Sequence, residues 1–266
     1  MNTLKTTLIQ SDLYWQDTDA NLAMFEEKIW DIEETTDIII LPEMFNTGFS
    51  MNAEKLAEPM NFKTFRWMTQ MSRQKDAAIV GSYIVKEKSK FYNRLFWIEP
   101  DGSFDFYDKR HLFRMGDEHL TYSEGKRRMI RNFRGWKIMP LVCYDLRFPV
   151  WSRNQYNAAA DELEYDLLIF VANWPAPRTE VWDALLKARS LENQCITIGV
   201  NRTGSDGNGI AYDGNSIVYD FKGQALNNIS NSPFIQTIEI NLAELQSFRK
   251  KFPAFLDGDK FEVDAS

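Results

Sequence analysis

Three short segments of this chain carry the side chains that amide cleavage needs. Pro140-Leu-Val-Cys143-Tyr-Asp-Leu-Arg147-Phe-Pro149 ends an apolar run on a thiol, where a buried strand would give way to a turn. Turns at strand ends, held by a rigid scaffold, are common seats for nucleophiles. Asp37-Ile-Ile-Ile-Leu-Pro-Glu43 ends a second apolar run on a carboxylate, and Phe106-Tyr-Asp-Lys109-Arg-His supplies an ammonium. Thiol nucleophile, carboxylate base and a cation for the oxyanion together could carry acyl transfer from nitrogen.

Each group also has an ordinary reading. A cysteine at a strand end is usually a small buried hydrophobe, and its thiol stays protonated unless a base or cation favours the thiolate. Glu43 is more telling, because it emerges from a strongly apolar run and a lone buried carboxylate is costly. Its alternative is a structural ion pair. Lys109, read alone, is an exposed strand end, and Glu118 in Met115-Gly-Asp-Glu-His is a surface-loop acid. Cys195 in Gln194-Cys-Ile-Thr-Ile-Gly199 has no nearby acid or turn and reads as core. His111 and His119 leave a Cys–His dyad open, although neither lies in a motif that pairs with Cys143. Arg147 is expected to pair with an internal acid and fix the turn. The glycine-rich Asn201-Arg-Thr-Gly-Ser-Asp-Gly-Asn-Gly209 lacks the Gly-Lys-Ser/Thr ending of a phosphate loop, so no nucleotide site is expected there.

Alternating strands and helices must position these groups. Strands are predicted at Thr6–Gln10, Asp37–Leu41, Ala77–Val85, Tyr92–Ile98, Trp136–Cys143, Asp166–Ala172, Cys195–Asn201, Ser216–Tyr219 and Ile235–Ile240. Helices are predicted at Asp19–Glu33, Phe62–Arg73 and Glu180–Gln194, the first capped by Asp17 or Thr18 and the third by Thr179. Pro100-Asp-Gly102 and Phe221-Lys-Gly223 read as turns. The mixture points to α/β with mixed sheets covered by helices.

Composition narrows the function classes. Of 266 residues, 44% are apolar and 14% aromatic, which is globular rather than disordered. A net charge of −7 argues against nucleic acid as partner, and Lys126-Arg127-Arg128 is only a short basic cluster. No apolar run is long enough for a membrane span, and the first residues lack a secretory pattern, so a cytoplasmic location is expected. Two cysteines and two histidines make neither a disulfide scaffold nor a structural zinc site, and no metal is expected. With no linker or repeat, residues 1–266 read as one domain.

The ordered trio Leu41-Pro-Glu43, Tyr107-Asp-Lys109-Arg-His and Cys143-Tyr-Asp-Leu-Arg-Phe-Pro149 resembles the nitrilase, or carbon–nitrogen hydrolase, superfamily. The resemblance runs from Lys5 to about Phe252. Finer segments resemble its bacterial omega-amidase branch: Tyr107–Met115, Cys143–Arg153, Ala172-Asn-Trp-Pro-Ala-Pro-Arg178, Asn201–Gly209 and Lys251-Phe-Pro-Ala254. The resemblance implies a four-layer α-β-β-α sandwich, usually dimerised, with a peripheral or dimer-contacting tail at about 253–266. It implies a Glu43–Lys109–Cys143 triad, Glu118 as a supporting second glutamate, and the Tyr144 backbone N–H as oxyanion donor. Trp174 and Arg178 become candidates for binding substrate, Arg178 taking its distal carboxylate. No cofactor is implied. The implied reaction hydrolyses the terminal amide of small 2-oxo dicarboxylic acid monoamides (2-oxoglutaramate, 2-oxosuccinamate) through a cysteine thioester. Alternatives are amidases acting on deaminated glutathione or N-carbamoyl compounds, or an inactive binding protein on the same fold. Asn157-Ala-Ala-Ala-Asp-Glu-Leu-Glu164 looks like an insertion and is expected to form a surface helix.

Overall fold

The computed structural model describes residues 2–263 and consists of two sheets packed face to face with helices outside; residues 264–266 of the implied tail lie outside the described residues. The first sheet runs Phe234–Asn241, Thr3–Gln10, Ile38–Ile40, Ala78–Glu87, Lys90–Ile98, Phe104–Asp108 from edge to edge, with Glu58–Pro59 beside Ala78–Glu87. The second runs Ile217–Tyr219, Ile196–Val200, Leu167–Val171, Trp136–Val142, Arg131–Phe133. Both are mixed. Parallel pairs form the centre, Thr6 opposite Ile38 and Ile38 opposite Ala78 in one sheet, Ile138 opposite Leu167 and Leu167 opposite Ile196 in the other.

Side-chain alternation explains the layers. Ile38 and Ile40 face inward with Leu8, Val80 and Trp97, in one core with Ile138, Ile169 and Ile198 of the second sheet. Ile39 faces outward with Ile9, Ile79 and Ile98 and packs on Phe25 and Ile29 of helix Thr18–Trp30 and on Met68 and Met71 of helix Lys63–Lys75. A strand buried on both faces reads as an unbroken apolar run, which is why Ile38–Ile40 shows no polar alternation. Helix Thr179–Glu192 covers the second sheet through Trp182 and Leu186. A Cβ at Gly199 would come within 2.4 Å of Leu186, so this strand must carry glycine for the helix to approach. The expected α-β-β-α sandwich is thus present.

Asp17 caps the first helix by accepting from the Ala20 N–H. Thr179 is no cap. A 3₁₀ turn at Ala176–Arg178 leads straight into the helix, and the Thr179 hydroxyl is spent on the Ala176 carbonyl and the Asp213 carboxylate. The expected helix at 157–164 is absent as well. Tyr156–Asn157 pairs antiparallel with Glu162–Leu163, and Asn157 takes the N–H groups of Ala159 and Ala160. Three alanines cannot nucleate a helix when a neighbouring carboxamide captures the backbone donors that would start it. A helix at Leu242–Lys251, capped by Asn241, follows the last strand and was not foreseen. No helix among the described residues is long and apolar enough to cross a membrane.

Candidate active site

The central parallel strands of both sheets end on the same side of the molecule, where open α/β sheets usually bind ligands. Glu43 follows Ile38–Ile40, Cys143 follows Trp136–Val142, Asn173 follows Leu167–Val171, and Lys109 follows Phe104–Asp108. Glu118 opens the short helix Glu118–Thr121. Glu43, Lys109 and Glu118 are buried, and Cys143 is 8% exposed at the floor of a cavity of about 790 Å³.

Lys109 Nζ lies 2.8 Å from Glu43 Oε1 and 3.1 and 2.9 Å from the two oxygens of Glu118. One N–H goes to Glu43 and one can be shared by the Glu118 pair, which leaves a third for another acceptor. Burial lowers the lysine's proton affinity, yet Glu118 and Glu43 together hold it above the usual value. Burial raises Glu118, offset in part by Lys109. The Cys143 thiol is pushed well up, first by burial and then by the adjacent Glu43 carboxylate. A thiolate beside the Glu43 carboxylate would set two negative charges together in a buried site. Burial and that carboxylate both favour the protonated thiol.

The backbone is strained at the thiol. Cys143 has φ +44°, in the left-handed region that non-glycine residues seldom occupy. Asp145 holds the turn: its buried carboxylate accepts from the Val142 N–H at 3.1 Å, the His111 N–H at 2.9 Å and the Tyr107 hydroxyl at 2.8 Å. The His111 ring also meets Asp145 at 2.8 Å and stacks on Phe148. His111 therefore serves Asp145, His119 Nδ1 is buried without a partner among the described residues, and no described hydrogen bond joins either ring to Cys143. Lys109 is fixed from behind by Gly125, whose N–H donates to the Lys109 carbonyl at 2.9 Å; a Cβ there would come within 2.0 Å of the Asp108 carbonyl oxygen.

The structure brings Tyr144, Trp174 and Arg178 to the cavity wall. Trp174 is clamped by Asn201, which accepts its N–H and donates to its carbonyl. Arg178 reaches Met115 Sδ and lies 5.7 Å from the Phe113 ring. Arg147 departs from expectation. It pairs with no acid among the described residues; it stacks over Trp174 at 5.0 Å and lines the cavity. Asp145 and a bond from Arg189 to the Leu146 carbonyl fix the turn in its place. Asp206, Asn208 and Gly209 of the glycine-rich loop also form wall, beside Tyr212 and Trp15.

Two asparagines were missed. Asn173 donates its backbone N–H to Glu43 Oε2 at 2.8 Å and its amide to the Glu43 carbonyl. It directly follows an apolar run, as Glu43 and Cys143 do, and that was the available signal. Asn93 donates to Glu43 and Glu118 from the middle of a strand, where a polar residue among buried ones was the only mark.

The pattern that defines the carbon-nitrogen hydrolases matches residues 5–250. The chain is 46% identical to the omega-amidase YafV of Escherichia coli K12, over 98% of each chain. It is 32% identical to the 2-oxoglutaramate amidase of Bacillus subtilis, over 94% of this chain and 95% of that one. XC1258 of Xanthomonas campestris, a CN-hydrolase superfamily protein with an arsenic adduct in its active site, superposes with a TM-score of 0.96 at 42% identity, covering 99% and 100% of the two chains. Yeast Nit3 shares the fold at a TM-score of 0.82 and 23% identity, covering 95% of each chain. Matched along nearly its whole length by the family pattern and by these relatives, the chain belongs to the carbon–nitrogen hydrolase family.

Proposed function

We propose that this chain is an omega-amidase that hydrolyses the terminal amide of 2-oxo dicarboxylic acid monoamides, 2-oxoglutaramate and 2-oxosuccinamate, to the 2-oxo acid and ammonia. The observation that carries this reading is a cavity-lining thiol beside a buried ammonium that bridges two carboxylates. The relatives' activities supply the substrate class.

Glu43 takes the Cys143 proton as sulfur attacks the amide carbon. The oxyanion is met by the third N–H of Lys109 and by the Tyr144 N–H, the latter near the start of the 3₁₀ turn Cys143–Arg147, where the first N–H groups have no partner within the turn. As the carbon–nitrogen bond breaks, Glu43 returns the proton to nitrogen, and ammonia leaves a thioester on Cys143. Water gives a proton to Glu43 and attacks the thioester, with Glu118 steering it. The C–S bond breaks and sulfur recovers the proton, releasing the 2-oxo acid. The whole of residues 1–266 acts as one domain in this reading.

Arg178 is the cation for the substrate's distal carboxylate, and Arg147 is a second guanidinium on the same wall. Neither has a carboxylate partner among the described residues, and each is held against an aromatic ring. The unpaired cysteines suit a cytoplasmic protein. The exposed apolar side chains Val150, Phe252 and Leu256 suit a homodimer contact that takes in the start of the tail. The cavity volume favours one second reading, an amidase for a longer amide such as deaminated glutathione.

Ammonia release should be measured from 2-oxoglutaramate, 2-oxosuccinamate, deaminated glutathione, glutamine, asparagine and a simple nitrile. The oxo-acid amides should exceed glutamine, asparagine and the nitrile in kcat/KM by about 100-fold or more, since the amino acids set an ammonium where the keto oxygen would be bound and the nitrile lacks both polar groups. Greater turnover of deaminated glutathione would keep the mechanism and replace the substrate. Turnover of the nitrile alone would overturn the reading.

A further inference from the structure

Asn93 belongs to none of the chemistry-bearing segments, yet it touches three of the four groups in the site. It is fully buried in the strand Lys90–Ile98. Its amide nitrogen donates to Glu43 Oε1 at 2.7 Å and to Glu118 Oε1 at 3.3 Å, and its backbone carbonyl accepts the Lys109 N–H at 3.0 Å. Its Oδ1 is buried and finds no partner among the described residues. Turning the amide over would set that oxygen against two carboxylates, so its orientation is fixed by charge.

The lone pairs of Glu43 can be counted. Oε1 accepts from Asn93 at 2.7 Å and from Lys109 at 2.8 Å, whereas Oε2 accepts from the Asn173 N–H at 2.8 Å. A carboxylate oxygen offers two lone pairs, so Oε1 is filled and Oε2 keeps one open. We infer that Asn93 is a positioning residue: by filling Oε1 it leaves Oε2 as the seat for the proton that Cys143 gives up. The inference rests on Glu43 as proton acceptor. Lys109, Glu118, Cys143, Tyr122 and Tyr212 are the other ionisable groups facing this cluster.

The test replaces Asn93 by Ala and by Leu, the second keeping the side-chain volume if the first does not fold. Two profiles are recorded against pH: ammonia release from 2-oxoglutaramate, and alkylation of Cys143 by iodoacetamide located by mass spectrometry. Loss of a donor to a charged group should lower kcat/KM about 10- to 100-fold with KM near wild type. The acidic limb of both profiles should move to higher pH by about one unit, because the ionised carboxylate loses a partner. Acidic limbs that stay in place in a variant of wild-type melting temperature would overturn the inference, whatever the loss of rate. Alkylation needs no amide substrate, so a wrong substrate would silence ammonia release in every protein while the alkylation shift still decides the role of Asn93.

Discussion

Two buried thiols flank strands of the second sheet, and of the two Cys143 alone lines the cavity described above. Cys143 immediately follows the strand Trp136–Val142, whereas Cys195 immediately precedes Ile196–Val200, at the opposite end of the sheet's parallel strands. Burial raises both, Cys195 to about 12 and Cys143 well above its ordinary value. Depressed acidity therefore does not distinguish them. Their neighbours do: Cys195 meets the Arg189 carbonyl and the Thr197 hydroxyl, and Cys143 has Glu43, Lys109 and an open cavity. What sets Cys143 apart is a carboxylate and an ammonium close by and a cavity beside it.

The comparison breaks first at Cys143. Cys143→Ala should abolish ammonia release from 2-oxoglutaramate, a loss of about 10⁴-fold or more, because no other group supplies the acyl acceptor. Lys109→Ala should cost about 100- to 1000-fold in kcat through the lost oxyanion donor. It should also destabilise the fold by about 3–5 kcal/mol in a denaturant titration, since Glu43 and Glu118 are left buried without their shared cation.

Arg178→Ala and Arg147→Ala sharpen the account of the cavity. Each should lower kcat/KM for the oxo-acid amide by about 10- to 100-fold, chiefly through KM, and barely affect a neutral amide. Cys195→Ala should leave turnover unchanged and lower stability by about 1 kcal/mol, as expected for a small buried side chain. The subtlest effect on stability is the pH dependence that Glu118 contributes. Burial raises its folded-state proton affinity above the ordinary 4.5, so its contribution to stability is fully present below that pH and is lost as pH rises through the folded value. Glu118→Gln should flatten that decline in melts recorded from pH 4 upward.

The framework was legible because buried parallel strands announce themselves as apolar runs, and Glu43 and Cys143 stand out where such runs stop. Lys109 was legible only as part of an ordered family motif, and Glu118 only as the second glutamate that the resemblance implies, since each read alone is an ordinary surface charge. Arg147 was misjudged because sequence does not say whether a guanidinium meets an acid or an indole. Asn93 was invisible because its importance lies in which lone pairs it fills, a matter of about an ångström. The hairpin at 156–163 escaped because alanine propensity lost to one local carboxamide, and the Thr179 hydroxyl because its partner Asp213 lies far along the chain.

The most direct measurement sets the two thiols side by side: ammonia release from 2-oxoglutaramate by wild type, Cys143→Ala and Cys195→Ala, with melting curves for all three. The account predicts wild-type turnover for Cys195→Ala and none for a folded Cys143→Ala. Persistent turnover in Cys143→Ala, or its loss in a well-folded Cys195→Ala, would contradict it.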